Sequence, residues 1–189
     1  CASAARWGSM SSGRSKWCAA RGLPHEHSLR REGPIPLIIE LASFDAALYV
    51  AHNMRAADAA EIAATRWTLD PVALAREVVL RPDFSWVAGA GEPIACIGAA
   101  QVWPHVFEAW MFATDRFPLI GKRLTLWVKH VMMPAVTAAG AHRVHCHSAE
   151  AHTEAHAWLE ALGAVHESSK PMFGQDGQTF RVYRWLADV

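Results

Sequence analysis

Apolar and polar positions along the chain change period several times, and each change marks an element. Pro36-Leu-Ile-Ile-Glu-Leu41 is an apolar run of strand length. Three helical stretches follow it. Ser43-Phe-Asp45 offers an N-cap and opens a helix carrying Ala46 to His52. A second runs from about Ala56 to Trp67, with Asp58 and Glu61 near its start, where the helix dipole favours acids. Asp70-Pro71 opens a third that reaches about Leu80, and Arg81-Pro82 stops it. The period then drops towards two. Phe84 to Ala88 and Ile94 to Trp103 flank the turn residues Gly89-Ala-Gly91-Glu-Pro93, and Pro104-His105 leads into a third strand, Phe107 to Ala113. Three strands joined by short turns predict a meander.

From Phe107 the pattern reads strand, long helix, strand, helix. The long helix runs from about Pro118 to Ala139, with Ile120, Leu124, Trp127, Val131 and Ala135 as its core-facing stripe. Pro134 should kink or end it, and Gly140 terminates it. The second strand is Arg143-Val-His-Cys-His147, and the last helix runs from about His152 to Leu162, closed by Gly163. Such a unit predicts parallel strands joined by a right-handed crossover. In the last helix Ala155, Trp158, Leu159 and Leu162 form one apolar stripe, which marks Trp158 and Leu162 as core. Beyond it, Ala164 to Glu167, the turn Gly174 to Gly177 and the strand Thr179 to Trp185 complete the chain. The expected architecture is α/β (α+β): one mixed, largely antiparallel central sheet with helices on both faces.

Composition changes this picture at one end. Residues 1–33 hold six basic residues against Glu26 and Glu32, an excess of four that the rest of the chain balances. With no apolar period, they read as a disordered basic leader, and 34–189 as a single domain. The acidic balance of that domain argues against nucleic acid as the main partner. Neither a membrane-spanning apolar run nor a signal-peptide core is visible. The cysteines form no C-x-x-C pair, and Cys96 and Cys146 read as reduced core thiols.

Four segments, taken in order, carry a resemblance: Met54-Arg55-x-x-Asp58-x-x-Glu61-Ile62, Trp110-Met-Phe-Ala-Thr114-Asp115, Trp158-Leu159-x-x-Leu162-Gly163-Ala164 and Asp176-Gly177-Gln178-x-Phe180. Over roughly residues 37 to 186 the chain resembles the GNAT acyltransferase superfamily, and within it a divergent phage branch that includes internal virion proteins of short-tailed phages. The resemblance implies the GNAT-like acyl-CoA acyltransferase fold, with acetyl-CoA or another acyl-CoA as cofactor. It places that cofactor at Met111 and Ala113 on the central strand, at Gly121, Lys122, Arg123 and Leu124 at the start of the long helix, and at His152. His152 stands where the superfamily often has an asparagine, and Leu159 where it often has a proton-donating tyrosine. The segment Arg116 to Leu124 carries one glycine instead of the paired pattern. Nor is it a nucleotide P-loop, because Arg123 replaces the Ser or Thr that holds magnesium.

Candidate general bases for an acceptor amine are Glu108, near the start of the central strand, and His147, at the end of the next. Among the eleven histidines, His145 and His147 point to one side of their strand, and His152 and His156 lie one helical turn apart. A helical pair with a strand histidine suits zinc or nickel, but no spacing fixes a third ligand, so no metal is expected. Two functions stay open. One is an acyl-CoA-dependent N-acyltransferase acting on an amine in a bacterial cytoplasm. The other is a non-catalytic phage protein that keeps the fold and meets other virion proteins or serves host takeover.

Overall fold

A computed structural model describes residues 36–80 and 84–187, so the leader expected over residues 1–33 lies outside the described residues. The first strand, β1 (Ile38–Leu41), is followed by α1 (Phe44–His52), α2 (Ala56–Ala63) and α3 (Pro71–Val79). The caps read from the sequence hold: the Ser43 hydroxyl accepts from the Ala46 amide at 3.4 Å, and Asp70 Oδ1 from the Val72 amide at 2.9 Å. The second helix, however, stops short of Trp67. The Thr65 hydroxyl bonds back to the Ile62 carbonyl, and the Gln175 amide takes the Ala64 carbonyl at 2.7 Å. Trp67 is fully exposed beyond this end.

The meander is present as β2 (Ser85–Gly89), β3 (Pro93–Trp103) and β4 (Val106–Ala113). A helical rod then leads to β5 (Arg143–Ala149), α6 (Thr153–Ala161), β6 (Val165–Lys170) and β7 (Phe180–Leu186). The seven strands lie in the order β1-β2-β3-β4-β5-β7-β6. Of these neighbouring pairs only β4 and β5 run parallel, as the crossover requires. On one face, α1 and α3 pack Ala47, Val50, Ala75 and Val78 against Val87, Cys96 and Phe112. On the other, the rod packs against Ile97, Ala99, Phe107 and Val144. Cys96 and Cys146 are free, buried thiols. Among the described residues, no helix is long and apolar enough to cross a membrane.

The rod corrects the expected stripe. It consists of α4 (Gly121–Trp127), a wide π turn over Val128–Met132, and α5 (Met133–Ala138). Its buried positions are Ile120, Leu124, Val128, Met132 and Val136, while Val131 is 48% exposed and Ala135 is also exposed. A steady four-residue spacing would drift off a regular α-helix. The π turn, closed by the Met133 amide on the Val128 carbonyl, takes up the extra residue and keeps Met132 and Val136 facing the core. Pro134 falls in the first turn of α5, where the missing amide costs little. Gly163 closes α6 at φ +89°, with its amide on the Glu160 carbonyl and that of Ala164 on Leu159, a Schellman end.

Gly98 on β3 makes room for an aromatic side chain. A Cβ there would sit 2.4 Å from the Phe84 carbonyl oxygen and 2.4 Å from the Trp110 ring. Backbone cannot yield as a flexible side chain does, so Gly98→Ala should destabilise by about 1–3 kcal/mol, measured by denaturant unfolding. A change within error would show that Trp110 does not lie across this glycine.

Candidate active site

The pairing of β4 with β5 is brief. It runs Val106↔Arg143, Phe107↔Val144 and Glu108↔His145, after which β4 continues to Ala113 and β5 to Ala149 with no pairing between them. The sheet therefore forks at Glu108 and His145. A cavity of about 770 Å³ fills the fork, within the usual range for small-molecule and cofactor sites. Alternation along β4 sets its walls. Glu108, Trp110 and Phe112 face the side of α1 and α3, while Ala109, Met111 and Ala113 face the rod. The fork connects the two faces, with Glu108 and His147 at the junction.

The helix α2 holds the fork's open end. Asp58 and Glu61, three residues apart on one face, each fasten one strand. Asp58 Oδ2 accepts the Ala113 amide at 2.7 Å, and the Arg55 amide returns to the Ala113 carbonyl at 2.9 Å. Glu61 Oε2 accepts from the Ser148 hydroxyl at 2.9 Å and from the Ala149 amide at 2.8 Å. His152 bridges them, with Nδ1 donating to Glu61 Oε2 at 3.0 Å and Nε2 lying 3.5 Å from Asp58 Oδ1. The Arg55 Nε is 2.8 Å from Asp58 Oδ1, and its guanidinium lies 5.0 Å from the Phe117 ring centre. The hydrogen bond to Glu61 is the main cause that raises the His152 pKa above 6.5, against its partial burial. Burial also pushes the Asp58 carboxyl up, outweighing Arg55, the Ala113 amide and His152.

A second chain of polar groups lies at the fork point. Lys170 Nζ is 2.8 Å from His147 Nε2, and an ammonium only donates, so Nε2 accepts and the ring proton sits on Nδ1. That proton is donated to Glu108 Oε1 at 3.1 Å. Phe173 stacks on the His147 ring at 5.1 Å and also lies beneath the Lys170 ammonium. The Glu108 side chain is 41% exposed and lines the cavity.

Of the expected site residues, Glu108, Met111, His147 and His152 line the cavity. Ala113, Gly121, Lys122, Arg123 and Leu124 do not. Ala113 is fully buried, with its amide and carbonyl taken by Asp58 and Arg55. Leu124 is a core residue of the rod. Gly121 faces the Phe117 ring, at 3.4 Å from where its Cβ would be, and Lys122 and Arg123 are exposed on the first turn of α4. Trp158 is not sealed in the core as its stripe implied. It is half-buried, lines the cavity, and donates its Nε1 to the Thr125 hydroxyl at 2.9 Å. Leu162 is buried as expected. His156 turns away and donates Nε2 to the Ala149 carbonyl at 3.0 Å.

Several partners were invisible to sequence reasoning. Lys170 reaches His147 across the intervening β7, and no local pattern marks it. Asp58 and Glu61 carry a signal, their spacing on one helix face, but by itself that spacing says no more than favourable charge near a helix start.

The shifts at α2 have a definite sign. A histidine whose folded pKa is raised adds stability in full below pH 6.5, and this is lost as pH rises through the folded value. The raised Asp58 pKa acts in the same direction, from pH 3.8 upward. Unfolding midpoints should therefore fall as pH rises past 6.5, and His152→Asn should flatten that slope. Glu61→Ala removes the acceptor of three hydrogen bonds and should cost about 3 kcal/mol. A slope unchanged by His152→Asn would refute this assignment.

No known family's sequence profile matches the chain, and no curated protein matches it in sequence. Solved structures do match in shape. Ard1 from Thermoplasma volcanium superposes with TM-score 0.64 at 15% identity, covering 81% of this chain and 99% of that one. The putative acetyltransferase yncA from Salmonella typhimurium, solved with its cofactor acetyl-CoA, gives 0.62 at 13%, covering 80% and 94%. A GNAT-family acetyltransferase from Bacillus anthracis gives 0.59 at 13%, covering 79% and 94%. At these identities the likeness is one of fold, and the fold is that of the GNAT acetyltransferases.

Proposed function

We propose that the protein transfers an acyl group from acyl-CoA to an amine, with the thioester reaching the fork from the side of the rod and the amine from the side of α1 and α3. The observation that carries this reading is the forked pair of strands, whose cavity joins the two faces beside a carboxylate. Alternation turns the peptide groups of Ala109 and Met111, like those of Ala113, to the edge that β5 has left. An extended acyl-carrying arm finds donors and acceptors there. The acetyl-CoA bound by the Salmonella neighbour supports the choice of cofactor. The first turn of α4, with Lys122 and Arg123, is the proposed place for the phosphates.

Glu108 is the proposed general base. It takes a proton from the amine as the nitrogen attacks the thioester carbonyl, and the Nδ1–H of His147 orients its carboxylate. His147 itself has its lone pair engaged by Lys170, which gives it the orienting role in this arrangement. Leu159 lies in the cavity wall and has no proton to give. Of the two tyrosines, Tyr183 is fully buried, Tyr49 bonds Glu92, and neither lines the cavity. The departing thiolate does not need them, since an ordinary thiol ionises near pH 8.5 or so and recovers its proton from water.

Two observations favour a second reading, in which the fold is kept without turnover: Leu159 in place of a tyrosine, and the Ala113 peptide closed off by α2. The structural neighbours lend nothing to its phage-virion form. Calorimetry with acetyl-CoA, followed by thiol release across a panel of amines, separates the two. Under the first reading Glu108→Gln should lower kcat by about 10²- to 10⁴-fold and leave acetyl-CoA affinity nearly unchanged. Absence of both heat and thermal shift at millimolar acetyl-CoA would leave the non-catalytic reading standing.

A further inference from the structure

The sheet brings together a set of metal-ligating groups other than the helical pair His152 and His156, which are bonded to Glu61 and to the Ala149 carbonyl. His145 and His147 share one face of β5, and the parallel register sets Glu108 directly opposite His145. One ligand atom from each of the three lies within 4.8 Å of the others. The imidazole of His145 has its Nδ1 buried with no hydrogen-bond partner. Glu108 Oε1 and His147 Nδ1 are already 3.1 Å apart. Two ligands at about 2.0–2.1 Å from a tetrahedral ion are spaced by about 3.3 Å, close to the separation of Glu108 Oε1 and His147 Nδ1.

We propose that Glu108, His145 and His147 form a binding site for a divalent transition ion of the zinc type, with Lys170 as a built-in competitor. Two imidazoles and a carboxylate suit zinc, cobalt, nickel or copper better than magnesium or calcium, which prefer oxygen. Three protein ligands leave the fourth tetrahedral position for water or a ligand in the cavity. Lys170 opposes the ion whichever nitrogen of His147 is used. If the ion takes Nε2, it replaces the ammonium that now sits on that lone pair. If it takes Nδ1, the ring proton leaves Nδ1 and the neutral ring carries it on Nε2 instead. The ammonium then faces a donor and must swing away. Entry therefore exchanges one cation for another at His147, with no change of oxidation state. Because Glu108 would be a ligand, the loaded protein would lose the base proposed above.

The test reads metal binding without turnover, on chelator-treated protein that carries no histidine tag. Zinc is titrated by calorimetry, and cobalt(II) by its visible ligand-field absorption, which reports tetrahedral coordination. The expected result is one ion per chain. His145→Ala should weaken binding by about 10-fold or more, Lys170→Met should tighten it several-fold, and His130→Ala, on the exposed side of the rod, should leave it unchanged. Circular dichroism confirms that each variant is folded. Failure of the wild type to bind sub-millimolar zinc would overturn the site, as would binding that ignores His145→Ala or fails to tighten in Lys170→Met. Zinc binding without any acyl-CoA turnover would leave this site in place and remove only the enzymatic reading.

Discussion

Two carboxylates on one turn of α2 hold the structure at the point where its sheet comes apart. A strand that leaves its neighbour exposes peptide groups, and buried peptide groups without partners are costly. Asp58 and Glu61 answer that demand at the far ends of β4 and β5, by accepting the Ala113 and Ala149 amides. Each bond is charge-assisted, and such bonds are stronger than neutral ones. With His152 between the two acids, its Nδ1 donating to Glu61, the fork is braced by a short chain of polar contacts. The cavity and the polar residues at its apex depend on the width that this brace sets.

That dependence explains why burial and charge are concentrated in a small region. Asp58 is 4% exposed and His152 8%. An acid so deeply buried would be unfavourable alone, and the Arg55 guanidinium and the imidazole offset part of that cost. At the apex the arrangement is looser. Glu108 and Lys170 are partly solvated and are linked through one imidazole, which gives the apex polar groups that can exchange partners when a ligand enters. Rigid support at the rim and exchangeable contacts at the apex suit a site that must bind and release.

Much of this fold was legible in the sequence because its signals are local. Ser43, Asp70-Pro71 and Gly163 each mark a helix end through one or two hydrogen bonds of their own. The period-two runs mark β2 to β4 within a residue or two. The stripe of the rod was misread because a strict 3.6-residue period has no place for the π turn at Val128–Met132. The site was only partly legible. Glu108 and His147, expected near strand ends in a βαβ unit, do line the cavity, but the fork is a property of two strands together, and neither strand encodes it alone. His152 was assigned to a cofactor, yet its nearest partners are acids almost a hundred positions earlier in the chain. Lys170 was missed because only tertiary structure brings it across β7.

The brace has a consequence for the order in which the chain assembles. Its bonds join residues 55, 87, 88 and 91 positions apart. The meander, by contrast, pairs strands separated by short turns. Closing long loops costs chain entropy before any contact compensates for it, so topology alone delays such bonds. The scaffold of β2, β3 and β4 can form while α2 is still unattached, and the fork takes its final width only when α2 docks. In this molecule the contacts that topology leaves to close late are those that set the width of the fork.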